Sequence, residues 1–129
     1  ICILLAEDNP INQKVALALL RKKGHTVRVA ATGKEVLDLC ERENFDLILM
    51  DVQMPEMDGL QATAALRRSP RPELARMKII AMTAHAMQGH EQMCLSAGMD
   101  AYISKPITPD KLHSAIRDIM SQQPVYISR

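Results

Sequence analysis

Short apolar runs recur along this chain with helix-patterned segments between them, and that alternation leaves few folds open. Residues 1–6, 47–50 and 79–82 are unbroken apolar runs. Bounded by turn signals, runs of this length read as strands covered on both faces. Thr26–Ala30 differs, because Val27 and Val29 alternate with Thr26 and Arg28, and Ala101–Ser104 is short. These two read as edge strands and the other three as central ones.

The intervening helices announce their starts. Asn9 followed by Pro10 is an N-cap with proline at the first helical position. Val15, Ala16, Leu19 and Leu20 then predict a buried stripe that ends at Gly24. Thr32 and Glu35 stand at capping-box spacing ahead of Val36, Leu37 and Cys40. Asp58-Gly59 opens a helix carrying Leu60, Ala64 and Leu66. A fourth helix is expected over residues 88–97, stopping at Gly98, and a fifth after Thr108-Pro109 that buries Leu112, Ile116 and Ile119.

Strand then helix, five times over, implies a parallel sheet with right-handed crossovers and helices on both faces. If the second strand is an edge, it flanks the first, and the third must take the first strand's other side. The expected fold is α/β, a flavodoxin-like doubly wound sheet of five parallel strands in the order 2-1-3-4-5 with five helices. Its topological switch point lies between the first and third strands, and ligands bind such sheets there, at the carboxyl ends of the strands.

Chemistry gathers at those ends. The first strand runs into Glu7 and Asp8, the third into Asp51, the fourth into Thr83 and the fifth into Lys105. Two unit charges about 4 Å apart cost on the order of 4 kcal/mol at an effective dielectric of 20, so three carboxylates on one rim call for a cation. Oxygen donors with room for water suit Mg²⁺. A divalent ion beside a carboxylate points in turn to a phosphoryl ligand, for which Lys105 supplies a charge and Thr83 a hydroxyl. The central acid, Asp51, is placed to be the nucleophile of an aspartyl phosphate.

Composition removes several competitors. At 129 residues the chain is one domain's worth, with residues 1–121 as that domain and 122–129 as a tail or linker. Sixteen Lys and Arg against fifteen Asp and Glu, a net charge of +1, argue against nucleic-acid binding. No apolar run nears the roughly 20 residues of a membrane span. Cysteines at 2, 40 and 94 fit neither a disulfide framework nor a zinc site, and a cytoplasmic setting is expected. The five glycines form no dinucleotide or P-loop fingerprint. A start inside an apolar run without Met suggests a piece of something longer.

The residues resemble the receiver domains of two-component response regulators over residues 3–120. The resemblance rests on Leu4-Leu5-Ala6-Glu7-Asp8-Asn9, on Met50-Asp51-Val52-Gln53-Met54-Pro55 followed by Met57-Asp58-Gly59, on Ala81-Met82-Thr83-Ala84 and on Lys105-Pro106. It implies that Asp51 is the phosphoacceptor. Glu7, Asp8, Asp51 and the backbone carbonyl of Gln53 are implied to hold Mg²⁺, with Mn²⁺ as a substitute. Thr83 is implied to be the switch hydroxyl, Tyr102 the switch aromatic and Lys105 the phosphate-pairing lysine, with a cis bond before Pro106. The longer segments Glu7-Asp8-Asn9-Pro10-Ile11-Asn12 and Ala81-Met82-Thr83-Ala84-His85-Ala86-Met87 are similar to receivers fused to sensor histidine kinases. The implied partners are a histidine kinase domain and a histidine phosphotransfer domain. The implied state is a monomer or weak dimer, without direct membrane contact, cut from a parent that could itself be a membrane-anchored kinase. A domain of this kind promotes only its own phosphorylation and dephosphorylation. A stand-alone regulator and a phosphorylation-independent interaction module are the alternatives.

Other residues carry weaker expectations. Gln53 and His85 stand two places beyond the nucleophile and the switch threonine, where side chains tune hydrolysis. Ile11 and Ala18 fall outside the inward stripe of the first helix and offer a partner surface. Met54, Met57 and Met87 are expected as an adaptable contact surface near the rim. His90 and Cys94 stand four apart on a helix, the spacing of a metal pair but without further ligands. Arg67, Arg68, Arg71 and Arg76 are expected in a solvated loop at the opposite end of the sheet. A dehalogenase-like phosphatase would need a second acid at position 53, where this chain has Gln. A flavin binder would place phosphate against the repelling pair Glu7 and Asp8.

Overall fold

The computed structural model describes residues 1–84 and 88–121, the side chains of 88–91 excepted. His85, Met87, the side chain of His90 and the tail from 122 onward therefore lie outside the described residues. The elements follow the order β1 (Cys2–Ala6), α1 (Pro10–Lys22), β2 (Thr26–Ala30), α2 (Gly33–Arg42), β3 (Leu47–Asp51), α3 (Gly59–Arg67), α4 (Pro72–Ala75), β4 (Ile79–Thr83), α5 (Gln88–Ser96), β5 (Ala101–Ser104) and α6 (Pro109–Ser121). All strand pairs are parallel, in the order β2-β1-β3-β4-β5. Six helices replace the expected five, because Pro72 starts a single helical turn, α4, inside what the sequence suggests is a loop.

Two apolar layers explain the double winding. Leu4, Ala6, Ile48, Met50, Ile79 and Ala81 face one way and meet Val36 and Cys40 of α2, Ala62 and Leu66 of α3, and Cys94 of α5. Their neighbours Ile3, Leu5, Leu47, Leu49, Ile80 and Met82 face the other way and meet Ala16 and Leu20 of α1 and Leu112, Ile116 and Ile119 of α6. A strand that packs helices on both sides has no polar face, so β3 and β4 are buried along their whole length. Each Leu or Ile so buried contributes about 1.5–3 kcal/mol, which makes β3 and β4, with β1 buried from its second residue on, the centre of the apolar core.

Helix starts follow their caps. Asn9 Oδ1 accepts from the backbone N–H groups of Ile11 and Asn12, and Pro10 takes the first helical position. Asp58 and Gln61 form a reciprocal capping box at α3. At α2 the box is half formed: Thr32 Oγ1 accepts from Glu35 N–H, while Glu35 reaches one residue further back to Ala31 N–H.

Three expectations need correction. Val15 is 46% exposed, so the buried stripe of α1 is Ala16 and Leu20, with Leu19 at its edge. Met54 is buried and Met57 half-buried, so neither forms an open contact surface. Arg67 is the last residue of α3 and is not part of a solvated loop. It is half-buried, and its guanidinium donates to the carbonyls of Gly98, Ala75 and Met77 and to Asp100 Oδ2, because the packing of α3 beside β4 and β5 brings those acceptors within reach.

Candidate functional site

Parallel register brings the sequence-predicted residues together. Ala6 pairs with Met50, so the next residues, Glu7 and Asp51, emerge side by side. Asp51 pairs with Met82, and Thr83 pairs with Ser104, which places Thr83 and Lys105 on the same rim. Together they line a cavity of about 640 Å³ with Asp8, Gln53 and Asn12. Glu7, Asp51 and Thr83 are buried at its floor, and Asp8 is exposed at its mouth. The peptide bond before Pro106 is cis. Tyr102 is half-buried on β5 and packs against the core layer shared by α2, α3 and α5 rather than lining the cavity.

Lys105 is the hub. Its Nζ stands 2.9 Å from Glu7 Oε1 and 3.2 Å from Asp51 Oδ2. Burial alone would lower the ammonium's affinity for its proton, but hydrogen bonding to Glu7 and the charges of Asp51 and Glu7 hold it above the usual lysine range. Asp51 moves the other way from an ordinary carboxyl. Burial, then its hydrogen bond and repulsion with Glu7, push it up to about 7, and Lys105 offsets only part of this. Burial also works against ionising Glu7, yet hydrogen bonds to Lys105, Asp51 and the Asn9 N–H outweigh it and keep that carboxyl below the usual range. One lysine among these acids leaves a site still short of positive charge.

Oxygen atoms of Glu7, Asp8 and Asp51 all lie within 4.8 Å of one another, close enough for one ion to touch all three. The donors are oxygen only, and one is open to water, a set that suits a hard divalent cation keeping part of its hydration shell. The acidic cluster could therefore hold a metal.

The comparisons decide what kind of molecule this is. Residues 3–117 match the response regulator receiver domain. The chain belongs to that family. It is a phosphoacceptor domain of a two-component system. This receiver domain is 44% identical over 119 residues to hybrid signal transduction histidine kinase I of Dictyostelium discoideum, a match covering 88% of this chain and 7% of that protein. It is 38% identical over 114 residues to the signal transduction histidine-protein kinase BarA of Escherichia coli, covering 88% of this chain and 12% of that one. The receiver domain thus spans only a small part of these curated relatives. Among solved structures it is similar to the receiver domain of sensor histidine kinase PA1611 from Pseudomonas aeruginosa, with a magnesium ion coordinated in that protein's active-site cleft. That match has 40% identity and a TM-score of 0.85, covering 93% of this chain and 97% of the other. No helix among the described residues is long and apolar enough to cross a membrane.

Two contacts to Glu7 go beyond what the sequence implies. Asn9 both caps α1 and donates its backbone N–H to Glu7 Oε2 at 3.1 Å. Gln13 donates its side-chain amide to the Glu7 carbonyl oxygen at 2.5 Å. A usable signal was present for Gln13: it lies one helical turn beyond Asn9, and side chains in a helix lean toward its amino end.

Proposed function

We propose that Asp51 accepts a phosphoryl group from a phosphohistidine on a partner protein. The observation that carries this reading is the convergence of Asp51, Glu7, Asp8 and Lys105 on one rim at the switch point. An Asp51 carboxylate oxygen forms a bond to phosphorus as the phosphorus–nitrogen bond breaks. The electron pair returns to the partner's imidazole, which takes up a proton from water. Lys105 stands within reach to pair the transferred oxygens, and Thr83 lines the same cavity as a hydroxyl donor. Glu7, Asp8, Asp51 and the Gln53 carbonyl would hold Mg²⁺, with Mn²⁺ as a substitute. The bound ion would offset negative charge on the phosphoryl group. Magnesium in the cleft of the Pseudomonas relative supports this assignment.

The phosphoryl group carries about 1.5 to 2 negative charges beside Thr83 in place of the carboxylate's one, and in this reading Thr83 and Tyr102 shift together to rebalance the face built on α5, β5 and α6. Tyr102→Ala should keep phosphoryl uptake and lose part of the downstream output, with full output counting against its switch role. The domain serves a relay, has no turnover on an outside substrate, and lies in the cytoplasm, with residues 1–121 as the working unit and 122–129 as linker. Its parent in this reading is a hybrid histidine kinase, as in the curated relatives. The partner is a histidine phosphotransfer domain meeting the exposed Ile11 and Val15 beside the cavity.

The deciding experiment is the intact mass of wild type and Asp51→Asn after acetyl phosphate, with and without Mg²⁺. One phosphoryl adduct requiring both Mg²⁺ and Asp51 is expected. No adduct on a folded wild type, from acetyl phosphate or a phosphohistidine donor, would favour the phosphorylation-independent interaction module.

A further inference from the structure

The acidic pair sits on a loop between β1 and α1, and loops hold ligands well only when their own backbone is held. Three contacts do this on the Glu7 side. Glu7 N–H donates to the Ala30 carbonyl at 2.9 Å, which fixes the strand end. Asn9 N–H donates to Glu7 Oε2, which fixes the side chain. The remaining backbone group, the Glu7 carbonyl, is met by Gln13 Nε2. That carbonyl belongs to the peptide unit joining Glu7 to Asp8, so its orientation sets the direction in which Asp8 leaves the strand.

We propose that Gln13 is a positioning residue for divalent-cation binding: by fixing the Glu7–Asp8 peptide unit from the first turn of α1, it holds Asp8 at the spacing that lets one ion span Glu7, Asp8 and Asp51. The inference rests on the reading of that cluster as a cation site. Gln13 is half-buried, and its side-chain amide donates to the peptide carbonyl rather than to a carboxylate, so it acts through the peptide it holds. Residues that orient metal ligands from behind change affinity roughly 10- to 100-fold when removed. A single neutral hydrogen bond to a carbonyl belongs at the lower end of that range.

Calorimetric titration with Mg²⁺ on the unphosphorylated protein tests this, using wild type, Gln13→Met, Gln13→Ala and Asp8→Asn, with thermal melting of each in chelator. Methionine keeps the length and removes the donor, and alanine guards against a packing artefact of methionine. A rise of about tenfold in the Mg²⁺ dissociation constant is expected for both Gln13 variants. Their metal-free melting temperatures should stay close to wild type. Phosphorylation by acetyl phosphate should need more Mg²⁺ for half its maximal rate and reach the wild-type rate once Mg²⁺ saturates. Affinities within twofold of wild type would overturn the positioning role, as would a large drop in melting temperature without a change in affinity. A wild type that shows no saturable Mg²⁺ binding, or binding unaltered in Asp8→Asn, would overturn the cation-site reading and this inference with it.

Discussion

At the amino end of the sheet, Arg67 meets an acceptor with every N–H of its guanidinium: the Gly98, Ala75 and Met77 carbonyls and the Asp100 carboxylate. Asp100 Oδ2 also accepts from Ile79 N–H, so one carboxylate oxygen ties Arg67 to the start of β4. At the carboxyl end, Lys105 faces Glu7 and Asp51 with Asp8 close by, and the acids outnumber it. Each end places one cation among oxygens in a largely buried setting. The amino end is matched and closed, while the carboxyl end is left with surplus negative charge and an open cavity. Satisfied buried groups hold a fold together, whereas a surplus kept at the end of rigid strands is a capacity to bind something positive.

The sharpest way to break this contrast is Arg67→Met. It removes the donor to three part-buried carbonyls and a carboxylate, and at about 1 kcal/mol for each lost hydrogen bond the loss should come to about 2–3 kcal/mol. Urea denaturation should show that loss, while phosphoryl uptake in the cold, where the variant is still folded, stays within twofold of wild type. A variant as stable as wild type would mean that Arg67 does not close the amino end. Lost uptake on an intact fold would mean the ends are not independent. Gly98 belongs to the same closure: its φ of +106° disfavours side chains, and a Cβ there would lie 3.0 Å from Arg67 Cγ.

The two ends also differed in how much of them could be read in advance. The carboxyl end was legible because strand ends and helix caps are local patterns, and a parallel sheet converts five such patterns into one place. The amino end was not, since Arg67 looks like any charged residue after a helix and its acceptors lie up to 33 positions away. Val15 was misplaced for a related reason. An apolar stripe gives the width of a helix's buried side but not which edge the sheet covers. Pro72 was read as loop because a single turn is too short to show periodicity. The half-buried contact of Gln13 with Glu7 was missed because the motif legible there ends at Asn12, one residue short of it.

Next in size is the effect of filling the deficit. With Mg²⁺ at about 100 times its dissociation constant, wild type should gain about 2.7 kcal/mol at pH 8, and chelator should remove it. Asp51→Asn and Asp8→Asn should gain much less, as thermal melting with and without the ion will show. Equal gains in all three proteins would sink the idea that the carboxyl end is a cation site.

Somewhat smaller is the stability held back by Asp51 in chelator. Its pKa rises from an ordinary 3.8 to about 7 in the fold, with burial the largest cause. Between those values the folded protein keeps a proton on Asp51 that the unfolded chain has lost, so the contribution of Asp51 to stability falls as pH rises through that window. Glu7, held below its ordinary 4.5, and His25, held below its ordinary 6.5 first by burial, work the other way within the window, so the effect is read from the difference between wild type and a variant changed only at Asp51. Asparagine has no proton to lose. The margin of Asp51→Asn over wild type should therefore open above about pH 4 and widen by about 2 kcal/mol between pH 5 and pH 8, with about 4 kcal/mol as the ceiling for three pKa units. A gap that does not change with pH would show that the charge surplus is relieved in some other way.

The smallest effect tests whether every unsatisfied buried group signals function. Thr63 is fully buried on α3, and its Oγ1 is the one described side-chain atom of its kind without a hydrogen-bond partner. It is neither at the cavity nor charged, so the contrast between the two ends gives it no role. A hydroxyl buried without a partner is a net cost, and replacing it by a group of the same shape removes that cost. Thr63→Val should accordingly be neutral or stabilising by up to about 1 kcal/mol in urea, with phosphoryl uptake and Mg²⁺ affinity unchanged. A loss of stability would show that the hydroxyl has a partner in solution. A loss of uptake at full stability would extend the functional region through α3 to the back of Asp51, whose carbonyl lies against Gly59 at the start of the same helix.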